Sequence, residues 1–246
     1  LFPSRLMDVR CHDGAIVNIA PNIKLQKGDT VIDAKGSALL PGLHDHHIHL
    51  TAAINWLCRA QDIRDEQADS GGVSAGWSFE DGWLPSYPET SGYIVETFVE
   101  AARILEKPEL IFRAEKILDW ELSIQNHDGS FPGHFGEKGS SPVIFNTGQI
   151  MHGLNCGFER LNRSECLESA VNAGKWLVTQ QDEDGCWRRS THNNIIHTYN
   201  TRATWALLKT GLLANDQELI NASIKNIDWA LTQQLDNGWF KNNAFK

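Results

Sequence analysis

The sequence lacks the features that mark two common classes of partner. No apolar stretch approaches the roughly 18 residues that a membrane-spanning helix needs, so we expect no membrane partner. Acidic residues outnumber basic ones, since the chain has 31 Asp and Glu but 22 Lys and Arg, and its net charge is −9. Nucleic-acid binding needs clustered Lys and Arg at the phosphates. The composition therefore predicts a globular protein that binds neither membrane nor nucleic acid.

Cysteine is also scarce. The five cysteines are scattered along the chain and form no Cys-x-x-Cys pair. Free thiols in a reducing compartment explain such a set, so we expect a cytoplasmic protein. No signal peptide opens the chain, which begins at Leu1 rather than at Met, as a fragment of a longer protein would.

What the sequence does contain is an internal repeat. Three stretches place Gln five residues after a Trp, then Asp or Asn and Gly, then an aromatic residue. They are DWELSIQNHDGSF at 119–131, KWLVTQQDEDGCW at 175–187 and DWALTQQLDNGWF at 228–240. An earlier copy, NWLCRAQD at 55–62, reaches its Gly pair after a longer loop. Repetition at this period indicates an architecture of stacked units, and we interpret the repeated Trp as a core residue.

Each unit is predicted to be a pair of helices. Apolar residues recur at helical spacing before each Gln, and the following Gly ends the helix because it tolerates a left-handed backbone. The second helix opens with an aromatic residue and Asn-Thr, as in FNTGQIMHGLNCGF at 145–158, and these polar side chains are expected to cap it. The predicted helices are 51–61, 90–106, 109–126, 144–160, 165–182, 198–214 and 217–235.

The repeat resembles the terpenoid-cyclase and prenyltransferase superfamily of α/α toroids, in which Trp- and Gln-containing helix ends tie one hairpin to the next. More closely, WLCRAQD, GGVSAGWS and GWLPSYPETSGYI resemble a group of bacterial toroid proteins associated with polysaccharide biosynthesis. The resemblance covers residues 52–246 and implies a mainly α fold, an incomplete α/α toroid. Terpenoid chemistry is not expected, because the chain has no Asp-x-Asp-Asp or Asp-Asp-x-x-Asp run.

Residues 1–50 have a different character. Short β-branched runs separated by Gly, Pro and Asn predict a β-rich segment, distinct from the helical repeats of residues 51–246. The stretch PGLHDHHIHL resembles the start of a metal-dependent amidohydrolase. That resemblance implies a zinc or other divalent metal on His47 and His49 and hydrolysis of a C–N bond. We expect these histidines on a strand, where residues two apart point the same way.

The candidate site of the toroid lies where loops deliver the N-termini of the second helices toward a central cavity. Helix N-termini offer free N–H groups to anionic ligands. The candidate catalytic residues, an acid–base set, are Glu89, His192 and His197. The candidate ligand-binding residues are Trp83, Tyr87, His134, Asn146, Tyr199, Asn200 and Arg202. Aromatic rings beside carboxylate, imidazole and guanidinium groups suit a sugar or an acidic sugar.

Three functions remain open at this point. The chain is a carbohydrate- or polysaccharide-pathway toroid of undetermined reaction, a metal-dependent amidohydrolase, or a non-catalytic helical repeat that serves as an interaction surface. The first and third require no cofactor. The seam of an unclosed ring would also expose apolar surface, so self-association is expected.

Overall fold

The computed structural model describes residues 8–12, 15–26, 46–135 and 140–243, and the structural statements below refer to these residues. Contacts between residues divide the chain into two units, Leu1–His46 and His47–Lys246. The division into domains at residue 50 stays a prediction.

The described part of the N-terminal unit is a β-hairpin. Strand β1 (Asp8–His12) pairs antiparallel with β2 (Ala15–Ala20), and the register shifts between Arg10 and Cys11. The short apolar run AIVNIA therefore forms a strand, as its β-branched residues indicate. Residues 27–45, which hold the first half of the PGLHDHHIHL stretch, lie outside the described residues.

The strand predicted at His47 and His49 is wrong, because the backbone is already helical from His46 onward. Positions two apart in an α-helix do not lie on the same side of it. The strand on which the metal-site argument for these histidines depended is therefore not formed. Within the described ranges, no group of three His, Cys, Asp or Glu side chains is arranged as a metal site.

The second unit is mainly helical, as predicted. Its helices are α1 (His46–Asp62), α2 (Pro88–Ile104), α3 (Glu109–Ile124), α4 (Ile144–Leu161), α5 (Ser164–Gln180), α6 (Thr201–Ala214) and α7 (Gln217–Leu231). Between α1 and α2, the two-residue strands β3 (Trp77–Ser78) and β4 (Gly82–Trp83) form a small hairpin. None of the described helices is both long enough and apolar enough to cross a bilayer.

These helices alternate between two layers. Helices α2, α4 and α6 pack side by side as inner helices, and α3, α5 and α7 each pack as outer helices against the inner helix before them. Glycines allow the inner helices to approach closely. A Cβ atom on Gly92 or Gly153 would collide with the facing backbone of α4 or α2, and one on Gly148 would collide with Ala203 of α6. This alternation is that of an α/α toroid.

Three of the four repeated Gln residues join their own loop to the next outer helix. The Gln125 amide donates to the carbonyl of Gly129 in the Asp-Gly turn and to the carbonyl of Ser169 on α5, both at 2.9 Å. Gly129 has a φ of +90°, which a residue with a side chain rarely adopts. The equivalent bonds run from Gln61 to Gly71 and Arg113 and from Gln181 to Gly185 and Ala222. The repeated Gln residues thus link consecutive hairpins through hydrogen bonds.

The repeated Trp residues differ in exposure. Trp120, Trp176 and Trp229 are 7%, 5% and 8% exposed, as expected of core residues. Trp120 packs against Gly72 in the loop of the preceding unit, so closely that a Cβ there would meet its ring. Trp56 on α1 is 42% exposed and contacts the β3–β4 hairpin instead.

Candidate active site at the inner-helix N-termini

The N-terminal ends of the inner helices meet through aromatic and polar side chains. Tyr87, directly before α2, accepts a hydrogen bond from the Asn146 amide on α4 at 3.3 Å. The Phe145 ring on α4 packs edge-on against Tyr199 before α6, with ring centroids 5.2 Å apart. The Ile144 N–H also donates to the carbonyl of Ser190, which fixes the loop before α6 to the start of α4.

The expected capping of these helices is wrong. Neither α4 nor α6 has a side-chain cap, and the residues before them are Val143 and Asn200. Asn146 lies inside the first turn of α4 and bonds Tyr87 instead. The first N–H of each helix is bonded to backbone instead, that of Ile144 to the Ser190 carbonyl and that of Thr201 to the Thr198 carbonyl. Binding of an anion at these helix ends stays a prediction.

Glu89 lies in the first turn of α2 and is the carboxyl group of the site. Burial raises its pKa above the ordinary value, and a hydrogen bond donated by the Tyr87 hydroxyl opposes that rise. Burial and the Glu89 charge together raise the pKa of Tyr87 to about 12. The Glu89 charge also raises the pKa of Tyr93 and of Tyr199, second in each case to burial. Glu89 therefore faces tyrosines from α2 and from the loop before α6.

Arg202, in the first turn of α6, is the cation of the site. Its Nε donates to the Gln149 Oε1 on α4 at 2.7 Å, and its guanidinium lies 5.9 Å from the Trp205 ring centroid. It forms no ion pair with any carboxylate of the described residues. Burial and the Arg202 charge lower the pKa of His152 to about 4, so that imidazole stays neutral at physiological pH.

The two candidate histidines lie in the loop before α6. His197 is buried, its Nε2 is 3.0 Å from the His192 carbonyl oxygen, and its ring stacks on Tyr199 with centroids 4.5 Å apart. A carbonyl accepts, so Nε2 is the donor and Nδ1 is the basic nitrogen of the neutral ring. The Glu89 carboxyl group accepts a hydrogen bond from the Tyr87 hydroxyl, and its pairing with either histidine stays a prediction.

Several buried polar atoms around these helix ends have no hydrogen-bond partner. They are Thr147 Oγ1, Gln149 Nε2, Thr191 Oγ1, His197 Nδ1 and Asn200 Nδ2. Buried polar groups are normally bonded to protein, water or ligand, so this concentration is typical of a site that holds water or a ligand.

The sequence-predicted set is not all in one place. The structure brings Glu89, Tyr87, Asn146 and Tyr199 together, whereas Trp83 packs against Trp56 and Trp77. His134 is exposed in the loop before α4. Three residues of the site escaped the sequence analysis: Tyr93, Gln149 and His152. Their helical spacing was the available signal, because Tyr93 lies four residues after Glu89, Gln149 three after Asn146 and His152 three after Gln149.

Comparison with known proteins agrees with this fold. Residues 85–246 match the squalene-hopene cyclase C-terminal domain family. The chain belongs to that family. No characterised protein matches the chain by sequence. Nothing in these matches supports the amidohydrolase resemblance of the N-terminal segment.

Solved structures share the architecture of this squalene-hopene cyclase C-terminal family member. They include a possible member of the GH105 family from Salmonella enterica serovar Paratyphi A, at TM-score 0.63 and 13% identity. A variant of UGL with dGlcA-Glc-Rha-Glc has TM-score 0.63 and 15% identity. The unsaturated glucuronyl hydrolase of Bacillus sp. GL1, responsible for degradation of glycosaminoglycan, has TM-score 0.59 and 13% identity. Each aligns with 80% of this chain, and the chain spans 56–60% of theirs.

Proposed function

We propose that this chain is a carbohydrate-active toroid that binds an acidic sugar at the N-terminal ends of α2, α4 and α6, with Glu89 as proton donor. Two groups beside aromatic rings carry the proposal: the Glu89 carboxyl group, whose pKa is raised, and the Arg202 guanidinium, which forms no ion pair within the described residues. Enzymes raise a carboxyl pKa by burial when the group must hold a proton near neutral pH.

The walls of the site suit a sugar ring. Tyr87, Phe145 and Tyr199 offer aromatic faces and edges to the C–H surface of a pyranose, while Asn146 and Asn200 supply amide groups for its hydroxyls. Such sites combine apolar lining with a few placed polar groups. Asn200 Nδ2 is buried without a partner, so a sugar oxygen would satisfy it.

A carboxylate on the sugar would pair with Arg202. Guanidinium binds carboxylate through two parallel hydrogen bonds, and the N-terminal end of α6 adds a favourable dipole. The Gln149 bond leaves the terminal nitrogens of Arg202 for this role. The solved structures of similar fold that concern glucuronyl saccharides are consistent with this ligand class, although at 13–15% identity their likeness shows the fold alone.

Glu89 would protonate the oxygen of a departing glycosidic bond. Cleavage by acid–base catalysis needs a second group that activates water or attacks the sugar. His192 and His197 are the predicted second groups, and Nδ1 of His197 is the nitrogen that would accept a proton. No cofactor is needed for this chemistry. Because the protonated form of Glu89 is the active one, the rate should fall as pH rises through its pKa.

The test compares a glucuronate-containing tetrasaccharide with its carboxyl-reduced, neutral counterpart by calorimetry and by product analysis. Arg202→Gln should weaken binding of the acidic sugar about tenfold, the equivalent of about 1.4 kcal/mol, and leave the neutral sugar unaffected. Glu89→Gln should retain binding and lose turnover.

The control is Glu168→Gln, which removes an exposed carboxylate on α5 and should change neither readout. Equal binding of both sugars would overturn the acidic-sugar assignment. Full turnover in Glu89→Gln would overturn the role of Glu89. Absence of any sugar binding would favour the non-catalytic interaction function.

A further inference from the structure

Three indole rings converge between α1 and the β3–β4 hairpin. Trp77 and Trp83 face each other across the hairpin, with ring centroids 5.5 Å apart and planes at 82°. The ring centroid of Trp56 on α1 lies 4.8 Å from that of Trp83. With Arg59 they line a cleft of about 400 Å³. We call these four residues the tryptophan cleft.

The cleft leaves much indole surface in solvent. Trp77 is 52% exposed and Trp56 is 42% exposed, whereas the equivalents of Trp56 in the other repeats are 5–8% exposed. An indole ring exposed to water lacks the favourable free energy that burial of a large apolar ring provides. A group of exposed aromatic rings on a folded surface is characteristic of a binding site.

Arg59 is the cation of the cleft. The Arg59 guanidinium lies 5.6 Å from the Trp56 ring centroid, and it has no ion pair within the described ranges. The other arginines of the helical unit outside the central site are different. Ion pairs to carboxylates are made by Arg64, Arg103, Arg113, Arg160, Arg163, Arg188 and Arg189. In a chain of net charge −9, an exposed, unpaired guanidinium held on an indole is available to an anionic ligand.

We propose that the tryptophan cleft is a second binding site for an acidic saccharide, separate in its residues from the Glu89–Arg202 site. The indole faces of Trp56 and Trp77 would stack on the C–H faces of sugar rings. Arg59 would pair with the sugar carboxylate, since guanidinium matches carboxylate geometry. The charge of Arg59 distinguishes this ligand from an apolar peptide, which would leave the guanidinium unused.

The cleft is tested in a background in which binding of the acidic sugar at the central site is weakened. In an Arg202→Gln background, calorimetry measures binding of the glucuronate-containing tetrasaccharide, its carboxyl-reduced counterpart and a nucleoside monophosphate. Trp77→Ala should raise the dissociation constant for the acidic tetrasaccharide about tenfold. Arg59→Gln should remove the preference for the acidic over the neutral sugar, and Arg59→Lys should restore part of it.

Trp239→Ala is the matched control, because Trp239 is 64% exposed and lies outside the cleft. It should leave binding unchanged. Failure of the tetrasaccharide to bind in the Arg202→Gln background would overturn the cleft proposal, as would undiminished binding in Trp77→Ala. If the nucleoside monophosphate binds more tightly than the tetrasaccharide, the ligand of the cleft is a nucleotide and the saccharide proposal is overturned. Binding of the acidic tetrasaccharide that Arg202→Gln leaves unchanged and that Trp77→Ala diminishes would lie in the cleft alone and would overturn only the proposed function.

Discussion

Replacing Glu121 by Leu should stabilise the protein. Glu121 lies on α3, is 1% exposed, and neither of its carboxyl oxygens has a hydrogen-bond partner. It directly follows the repeated Trp120, and the same position in the other units holds Leu57, Leu177 and Ala230. A carboxyl group therefore occupies a core position that the repeat otherwise gives to an apolar side chain.

The expected gain combines two effects. An unsatisfied buried polar group costs about 1–3 kcal/mol, and a buried Leu contributes about 1.5–3 kcal/mol. Because the two overlap in the same volume, we expect Glu121→Leu to raise the free energy of unfolding by about 3 kcal/mol, before the contribution of ionisation is added. Glu121→Gln keeps an unsatisfied polar group at the site, so its gain should come only from the removal of the ionisable carboxyl group.

The gain should also depend on pH. Burial raises the pKa of Glu121 well above its ordinary value, while the unfolded chain has a pKa of about 4.3 for Glu. Above that pH the unfolded state ionises and the folded state stays protonated, so unfolding releases a proton. The wild type therefore loses up to about 1.4 kcal/mol per pH unit until pH reaches the folded-state pKa. Both variants should lack this loss.

The assay is urea unfolding at several pH values from 6 to 8, for wild type, Glu121→Leu, Glu121→Gln and the surface control Glu168→Gln. The difference between Glu121→Leu and wild type should widen as pH rises. A variant less stable than wild type, or a difference that does not change with pH, would refute the account of Glu121 as an unsatisfied, protonated core residue.

Two further predictions concern the helical unit, one on its stability and one on its self-association. Gln181→Leu should lower the free energy of unfolding by about 1–3 kcal/mol, because two backbone carbonyls lose a donor. Gln234→Leu is its matched control and should change it by less than about 0.5 kcal/mol, because Gln234 is exposed and makes one bond of 3.3 Å. Self-association is predicted through apolar residues of α6 and α7, including Leu212 at 60% and Leu231 at 57% exposed. Light scattering should show a mass above that of one 27.5 kDa chain that Leu231→Asp reduces, and a strict monomer would contradict the prediction.

The helical architecture was largely predictable from the sequence. Each predicted helix of the second unit coincides with an observed one within a few residues, because periodic apolar positions and Asp-Gly turns are local signals. At its N-terminal end the prediction was wrong. His47 and His49 were placed on a strand from a resemblance, whereas their backbone continues into the periodic pattern of α1. The amidohydrolase-like motif predicted a strand there, but the backbone adopts the conformation of the helix that follows.

The candidate site was predictable in part. The rule that loops deliver helix N-termini selected Tyr87, Glu89, Asn146 and Arg202, which the structure places at adjoining helix ends. It also selected Trp83, whose ring packs against Trp77. A rule about sequence position identifies which loop a residue occupies, but the direction of its side chain depends on strand pairing and on neighbours from other segments.

The repeat, its helices and the turns between them follow from local sequence signals, because helix periodicity and glycine turns act within a few residues. The hydrogen-bond partners of each repeated residue depend instead on how distant segments pack. Gln125 and Gln181 reach carbonyls on the next outer helix, more than 40 residues away. Packing also decided that Glu121 is buried without a partner while Trp56 stays exposed. Burial and hydrogen bonding between distant segments are properties of the packed chain, so residues at equivalent repeat positions have different environments.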